Sequence, residues 1–182
     1  LWFADAPGTE DTNGFARQNW FEPVGREAAM LRDAVGVIDI SNFGKYEVTG
    51  PGAGDWLDAL VANHVPREIG KSCLTPLIGM RGGVAGDFTV TMTGDESYMM
   101  IGSGMAERYH RRFFDMVPLP DGTGFEVATP RIAGFNVAGP RSREMLGGLT
   151  DADLSNEGWR FMRSRRIAVG AVSYTHLRAH ET

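Results

Sequence analysis

The order of apolar and polar residues along the chain predicts short strands mixed with helices. Residues 1–19 are rich in glycine, proline, aspartate, threonine and asparagine and show no periodicity, which is typical of a connecting segment. Apolar residues recur at helical spacing over about residues 24–34, and Gly36 is a suitable stop. Two short runs that follow, 37–41 and 45–49, read as strands.

The central part of the chain reads mostly as strands joined by glycine-rich turns. Strands are predicted at 72–77, 86–92 and 98–101, with turns at 79–83 and 93–96 and a helix at about 105–116. Strands and helices therefore mix without strict alternation. This mixture predicts an α+β fold built from antiparallel strand pairs.

One unit of the pattern occurs twice. Each copy has a strand, a Gly-Pro pair and then leucines at matching offsets: Tyr46, Val48, Gly50-Pro51, Leu57 and Leu60 in the first, and Phe135, Val137, Gly139-Pro140, Leu146 and Leu149 in the second. Gly-Pro turns are common, but identity at five of these six positions favours a diverged duplication over chance. We expect each proline to stand at the first helical position, where its missing N–H costs nothing.

Composition narrows the class of protein. The chain has 182 residues, of which 42% are hydrophobic and 23% charged, as in ordinary globular domains. Its net charge of −5 argues against a nucleic-acid partner, and its apolar runs are too short to predict a membrane-spanning helix. The single cysteine, Cys73, allows no intramolecular disulfide, which makes a reducing compartment the default expectation.

Both ends of the chain have unusual sequences. The start at Leu1 is neither an initiator methionine nor a signal peptide, so we expect the chain to begin inside a longer reading frame. Residues 172–182, VSYTHLRAHET, resemble a translated sequencing adapter, although a genuine strand-like tail is the alternative. We therefore do not interpret His176 and His180 as metal ligands, and the sequence predicts no metal site.

Few residues have spacings that suggest chemistry. Gly102-Ser103-Gly104 precedes a predicted helix, where free backbone N–H groups could hold an anion, or the glycines could simply bend the chain. His110 lies between charged residues on that helix and is expected at the surface. Asp87 opens a strand directly after a glycine-rich run, 82–86, where glycines let a ligand approach closely. A solvated turn carboxylate is the alternative interpretation.

The chain resembles a known family in three segments. Val37 to Pro51 is similar to the opening of the glycine-cleavage T-protein, or aminomethyltransferase, family, and Gly82 to Val90 is similar to its central motif. Asn19 to Glu27, with Arg165 to Gly170, resembles one branch, the C-terminal folate domains of dimethylglycine and sarcosine dehydrogenases. The resemblance covers about residues 1–171. It implies a T-protein-like folate-binding fold that is incomplete in this chain.

The resemblance implies a reaction and a site. A separate upstream domain would use FAD to oxidise an N-methylated glycine, and tetrahydrofolate would capture the resulting iminium or formaldehyde as 5,10-methylenetetrahydrofolate. Asp87 falls on the family's essential aspartate, beside the reacting folate nitrogens. Phe43 replaces a methionine that lies against the pterin, with core packing as the alternative, and Thr89 and Val90 would flank the same cleft. We include Ser103 among the candidate folate-binding residues.

The sequence also departs from the family pattern. The position before the aspartate is often acidic, but here it is Gly86. The tyrosine and glutamate that clamp the pterin would lie beyond Ala171, so we expect the isolated chain to be inactive. The resulting domain plan is a connecting segment at 1–23, a partial folate domain at 24–171 and a foreign tail at 172–182.

Two other functions remain open at this point. A free T-protein would accept an aminomethyl group from a lipoyl carrier, and a non-catalytic relative would bind folate without transfer. The dehydrogenase-like segment at 19–27 favours the flavoenzyme, and the presence of Asp87 argues against an inactive copy. We expect a cytoplasmic location in a bacterium, or the mitochondrial matrix in a eukaryote.

Overall fold

The computed structural model describes residues 2–170 and the backbone of residues 172–178. The helices in this part of the chain are α1 (Phe21–Asp33), α2 (Ala53–Leu60), α3 (Glu107–Phe114) and α4 (Ser142–Gly147). The strands, β1 to β9 in chain order, are Gly36–Asp39, Gly44–Thr49, Ser72–Ile78, Val84–Gly94, Ser97–Gly102, Gly124–Val127, Phe135–Ala138, Ser164–Val169 and Val172–Arg178.

A five-stranded antiparallel sheet positions the candidate site. Its strand order is β3-β4-β5-β2-β6, and neighbouring strands pair in antiparallel register. One face of β4 and β5 carries large apolar side chains at every second position, including Phe88, Val90 and Met100. Helix α2 adds Leu57, and α3 adds Phe114, to the same buried cluster. The predicted α+β class with antiparallel sheets is confirmed.

The described chain forms two compact units. The smaller contains the residues up to Ile38 together with Asn136–Leu149, and the larger contains Asp39–Phe135 and the residues from Thr150 onward. The buried hydrophobic cluster lies entirely in the larger unit. In α1 of the smaller unit, only Pro23 is buried.

Both copies of the repeated unit adopt the same local geometry. Gly50 and Gly139 have φ angles of 104° and 115°, a region that favours glycine. The Gly50 carbonyl accepts from the N–H of Ala53 at 3.1 Å, and the Gly139 carbonyl accepts from the N–H of Ser142 at 3.0 Å. The duplicated strand, Gly-Pro turn and helix is therefore present in the structure.

The position predicted for the two prolines is wrong. Helices α2 and α4 begin at Ala53 and Ser142, two residues after Pro51 and Pro140. Each proline lies in the turn instead, because the preceding glycine and its carbonyl hydrogen bond close a corner before the helix starts. Helix α4 also ends at Gly147, so Leu149 lies beyond it.

Element boundaries differ from the predicted ones by a few residues. Helix α1 begins at Phe21, inside the predicted connecting segment, after a turn in which the Phe21 N–H donates to the Gln18 carbonyl at 3.1 Å. The helix predicted at 105–116 consists of a 3₁₀ turn, Gly104–Ala106, followed by the shorter α3. Such shifts are common at helix ends, where hydrogen bonds change type.

The predicted tail at 172–182 is described only in part. The backbone of β9 pairs antiparallel with β8. Residues 179–182 and Ala171 lie outside the described residues, and so does the side chain of His176. The foreign origin of this segment stays a prediction.

Candidate functional site

A glycine pair at one end of the sheet brings three of the candidate residues to the same place. Gly44 of β2 pairs with Gly102 of β5. Phe43 precedes the first of these glycines and Ser103 follows the second, so antiparallel pairing puts both at one sheet end. An added Cβ on Gly102 would lie 3.1 Å from the Asp87 carbonyl oxygen, which shows how closely β4 approaches there.

Asp87 lies on the face of β4 opposite the core. Phe88 is buried with 1% exposure, whereas Asp87 is exposed and Thr89, two residues further on, is partly buried. Successive side chains of a strand point to opposite faces, so Asp87 and Thr89 share the outer face. The structure therefore presents a solvent-accessible carboxylate at the sheet end that also carries Ser103 and Phe43.

The prediction that Val90 flanks a folate cleft is wrong for its side chain. Val90 has 0% exposure and belongs to the hydrophobic cluster. It shares the core face of β4 with Phe88, because the two residues are separated by two positions. The sequence motif runs through both faces of the strand, and only alternate residues can reach a ligand.

Phe43 is not a core residue. Its side chain is 41% exposed, at the tip of a turn where its N–H donates to the Ile40 carbonyl at 3.0 Å. Of the two interpretations left open by the sequence, core packing is excluded. The Phe43 ring is therefore exposed to solvent at this end of the sheet.

The two glycines that flank Ser103 have a structural role, because a side chain at either position would clash with its neighbours. A Cβ on Gly104 would overlap the Asn42 carbonyl oxygen, so this glycine lets two loops touch. Helix α3 begins only at Glu107, whose carboxylate accepts from Thr129 Oγ1 at 2.5 Å. An acidic residue in the first turn disfavours a second negative charge there. The bending role predicted as the alternative is supported, and Ser103 itself is exposed at the sheet end.

Lys45 is a functional candidate that the sequence pattern did not reveal. It is only 4% exposed, and its ammonium donates to the carbonyls of Ser41 at 2.9 Å and Phe43 at 3.0 Å. Burial lowers the pKa of Lys45, while the nearby carboxylates of Asp39 and Glu107 oppose that shift. Lys45 therefore fastens the turn that carries Phe43.

His110 was expected at the surface, and that prediction is wrong. The side chain is 1% exposed, and Nδ1 lies 3.2 Å from the hydroxyl of the fully buried Tyr46. Phe114, one helical turn along α3, is also buried, so His110 belongs to the apolar stripe of this helix. That spacing was the available signal, and the flanking charged residues concealed it.

Burial favours the neutral forms of both His110 and Tyr46. Burial lowers the pKa of His110, with Asp87 and Glu107 acting weakly in the other direction. Burial also raises the pKa of the Tyr46 hydroxyl well above its usual value. In the neutral pair, the imidazole tautomer sets which group donates the hydrogen bond.

Within the described residues, no three His, Cys, Asp or Glu side chains are grouped so that they could hold a metal ion. Among the same residues, none of the helices has the length and apolar character needed to cross a membrane.

The fold matches two solved structures. A glycine cleavage system aminomethyltransferase T from Bartonella henselae superimposes with a TM-score of 0.65 at 19% identity, covering 86% of this chain and 43% of that one. A heterotetrameric sarcosine oxidase from Corynebacterium sp. U-96 gives a TM-score of 0.63 at 16% identity, covering 83% and 76%. These similarities establish an α+β fold of the aminomethyltransferase T type.

Sequence comparison identifies the family. Residues 2–180 match the GCVT N-terminal domain, and the chain belongs to this family. Mouse mitochondrial dimethylglycine dehydrogenase is 31% identical over the whole chain, which spans 21% of that relative. An aminomethyltransferase of Thermus thermophilus is 30% identical over 81% of the chain and 42% of its own length. The chain thus spans about a fifth of the dehydrogenase and under half of the transferase.

Proposed function

We propose that this chain carries part of a tetrahydrofolate-dependent one-carbon transfer site with Asp87 as its catalytic carboxylate. The observation that supports this most directly is the exposed Asp87 at the sheet end where Phe43 and Ser103 also lie. Membership in the GCVT N-terminal domain family agrees with this class of reaction.

The chemistry explains why a carboxylate is needed. The amine nitrogens of tetrahydrofolate are weak nucleophiles. Attack of the first nitrogen on an iminium or formaldehyde carbon forms a C–N bond as the C=N or C=O π electrons move to the heteroatom, and that nitrogen loses a proton. Attack of the second nitrogen on the same carbon then expels the amine or water and closes the methylene bridge. A carboxylate at the position of Asp87 can orient the amine, stabilise the positive charge and accept that proton. Asp87 is solvent-accessible, as this role requires.

The surrounding side chains fit a flat, partly polar substrate. Phe43 offers an exposed aromatic ring, and Thr89 shares the outer face of β4 with Asp87. An aromatic ring stacks favourably on a heterocycle, and a hydroxyl supplies directional hydrogen bonding. These two residues and Ser103 are the ones we assign to folate binding.

We propose that the one-carbon unit comes from oxidation of an N-methylated glycine, dimethylglycine or sarcosine. Support comes from mouse dimethylglycine dehydrogenase, and from a 4-methylaminobutanoate oxidase (formaldehyde-forming) of Paenarthrobacter nicotinovorans that is 27% identical over 92% of the chain and 20% of its own length. FAD would then be bound by a separate, upstream domain of the same polypeptide. The mouse relative is mitochondrial by name, and for this chain we propose that compartment only if the source is eukaryotic, and the cytoplasm otherwise.

A free aminomethyltransferase is the second candidate. The Thermus thermophilus relative carries that name and is 30% identical to this chain. The coding sequence upstream of Leu1 distinguishes the two functions. A glycine-rich dinucleotide-binding region there supports the flavoenzyme, and an initiator methionine shortly before Leu1 supports the free transferase.

Replacement of Asp87 tests the proposed role. In the intact enzyme, Asp87→Ala should lower 5,10-methylenetetrahydrofolate formation by about a hundredfold or more, because general acid–base groups contribute that much. Flavin reduction by the amine should continue. Asp95→Ala, an exposed acid in the turn at the far end of β4, is the matched control and should retain product formation. Equal yields from Asp87→Ala and the parent would refute the assignment.

A further inference from the structure

Gly86 and His110 fit each other in a way that excludes a side chain at position 86. A Cβ built on Gly86 would lie 2.6 Å from His110 Nε2, 2.9 Å from Cδ2 and 3.2 Å from Phe88 Cε2. Separations of that size between a Cβ and ring atoms do not occur without displacement, so any larger residue at 86 must move the imidazole or the strand.

The imidazole has little room to retreat. It is 1% exposed, its ring centroid lies 4.7 Å from that of Phe88, and its Nδ1 is hydrogen-bonded to Tyr46. Phe114, from the next turn of the same helix, lies on another side at a centroid distance of 6.4 Å. Rings on three sides therefore hold His110 against the backbone of β4.

The contact lies directly behind the proposed catalytic residue. Gly86 and Phe88, both touched by the imidazole, are the two chain neighbours of Asp87. Since Asp87 faces the opposite side of the strand, His110 does not need to touch its carboxylate in order to fix its position. The imidazole supports the backbone at the point where Asp87 projects from the sheet.

We propose that Gly86 and His110 act as one steric pair that positions Asp87. His110 is a positioning residue in this scheme, and its imidazole occupies the volume that a side chain at 86 would need. The proposal rests on the assignment of Asp87 under the proposed function. It gives the buried histidine, which the transfer chemistry does not use, a defined task.

A double-mutant cycle on unfolding tests the steric part without folate. Gly86→Ala should lower the folded-to-unfolded ratio of the chain by about tenfold or more, as overpacking does. His110→Ala should also destabilise. In the double variant the new methyl enters the vacated space, so the combined loss should be at least about fivefold smaller than the product of the single losses. If the loss in the double variant equals the product of the two single losses, residues 86 and 110 do not act as a steric pair.

Two controls are built into the chain. Gly83 lies in the turn before β4 with no atom within 4 Å of an added Cβ, so Gly83→Ala should leave unfolding nearly unchanged. His64 has a fully exposed side chain, and His64→Ala should behave likewise. Neither control should couple to a substitution at 86 or 110.

The functional part is measured in the intact enzyme. Gly86→Ala should lower kcat for methylenetetrahydrofolate formation by about tenfold or more, with a smaller change in KM, because a small misplacement of a catalytic group slows the chemical step. Adding His110→Ala should restore most of that loss. Coupling seen in unfolding but absent from kcat would overturn the positioning role. If Asp87→Ala leaves product formation intact, the proposed function fails instead, whatever the cycle shows.

Discussion

At the scale of single residues, Lys45 stands out near the site because its charged side chain has almost no exposed surface. Residues 128–134 cover it: Thr129 Oγ1 accepts from its backbone N–H at 2.9 Å, and a Cβ on Gly134 would lie 3.6 Å from its Cε. The buried ammonium donates hydrogen bonds to two carbonyl groups of the turn that carries Phe43. These charge-assisted hydrogen bonds of Lys45 stabilise the conformation of that turn.

Replacing Lys45 should therefore loosen that turn. Lys45→Met keeps the chain length but removes both hydrogen bonds to the carbonyls of Ser41 and Phe43. We expect the free energy of unfolding to fall by about 1–3 kcal/mol, the cost of leaving polar groups unpaired. Urea denaturation measures this loss, and hydrogen exchange should show faster exchange at the Phe43 amide. Lys71→Met, at an exposed position, should change neither quantity.

His110 should make stability depend on pH. Its pKa is lowered by burial in the folded chain, with Tyr46, Asp87 and Glu107 as the titratable neighbours, so protons bind the unfolded state first. Stability from this group is complete above the unfolded pKa of about 6.5 and is lost as pH falls through and below that value. Thermal unfolding from pH 8 to pH 5 measures the effect.

The matching control for this pH effect removes the titration. In His110→Asn, the part of the pH dependence of stability that is due to residue 110 should vanish, leaving only the contribution of the acidic groups. His64→Asn, at a fully exposed site, is the matched substitution outside the buried cluster. An unchanged slope in His110→Asn would show that another group is responsible.

At the scale of secondary-structure elements, the two Gly-Pro turns have nearly the same backbone geometry. Both glycines have positive φ, and a Cβ on Gly50 or Gly139 would overlap a backbone carbonyl oxygen, of Gly122 or Ala34 respectively. The same local solution thus occurs twice, once in each compact unit.

Alanine substitution should weaken both corners alike. Gly50→Ala and Gly139→Ala should each lower the free energy of unfolding by at least about 2 kcal/mol, from strained φ together with the carbonyl overlap. Gly82→Ala is the control for φ alone, because Gly82 has φ of 79° with no atom within 4 Å of an added Cβ. It should cost about 1 kcal/mol. Chemical denaturation separates the two outcomes.

The elements themselves were largely predictable, and the site was predictable only in part. The alternation of Phe88, Val90 and Met92 predicted β4, and the glycines before it predicted an accessible Asp87. Lys45 could not be placed by local pattern, and the helical spacing of His110 and Phe114 was concealed by the flanking charged residues. Their burial depends on residues 128–134 and on β4, which are distant in sequence, whereas periodicity reports only one element at a time.

At the scale of the whole molecule, the two units differ in how much they bury. The larger unit contains the whole hydrophobic cluster, whereas β1 and β7, which belong to the smaller unit except for Asp39 and Phe135, contain no buried residue. Local opening is easier where little apolar surface is buried. The two units are therefore expected to differ in local stability.

Hydrogen exchange should reveal this difference. In native conditions, amides of β4 and β5 should exchange through near-global unfolding, and those of β1 and β7 through smaller openings with lower free energy. Exchange followed by mass spectrometry resolves the segments. Equal protection of β1 and β5 would contradict the expectation.

The close fit of Gly86 and His110 also limits how such a sequence can change over generations. An imidazole behind β4 clashes with any side chain at residue 86, so from an ancestor with a larger residue there, the path without a destabilised intermediate begins with the change to glycine. The reverse path has the opposite order, with the histidine lost before position 86 can grow. The substitutions at positions 86 and 110, which are 24 residues apart, are therefore expected to occur in a fixed order.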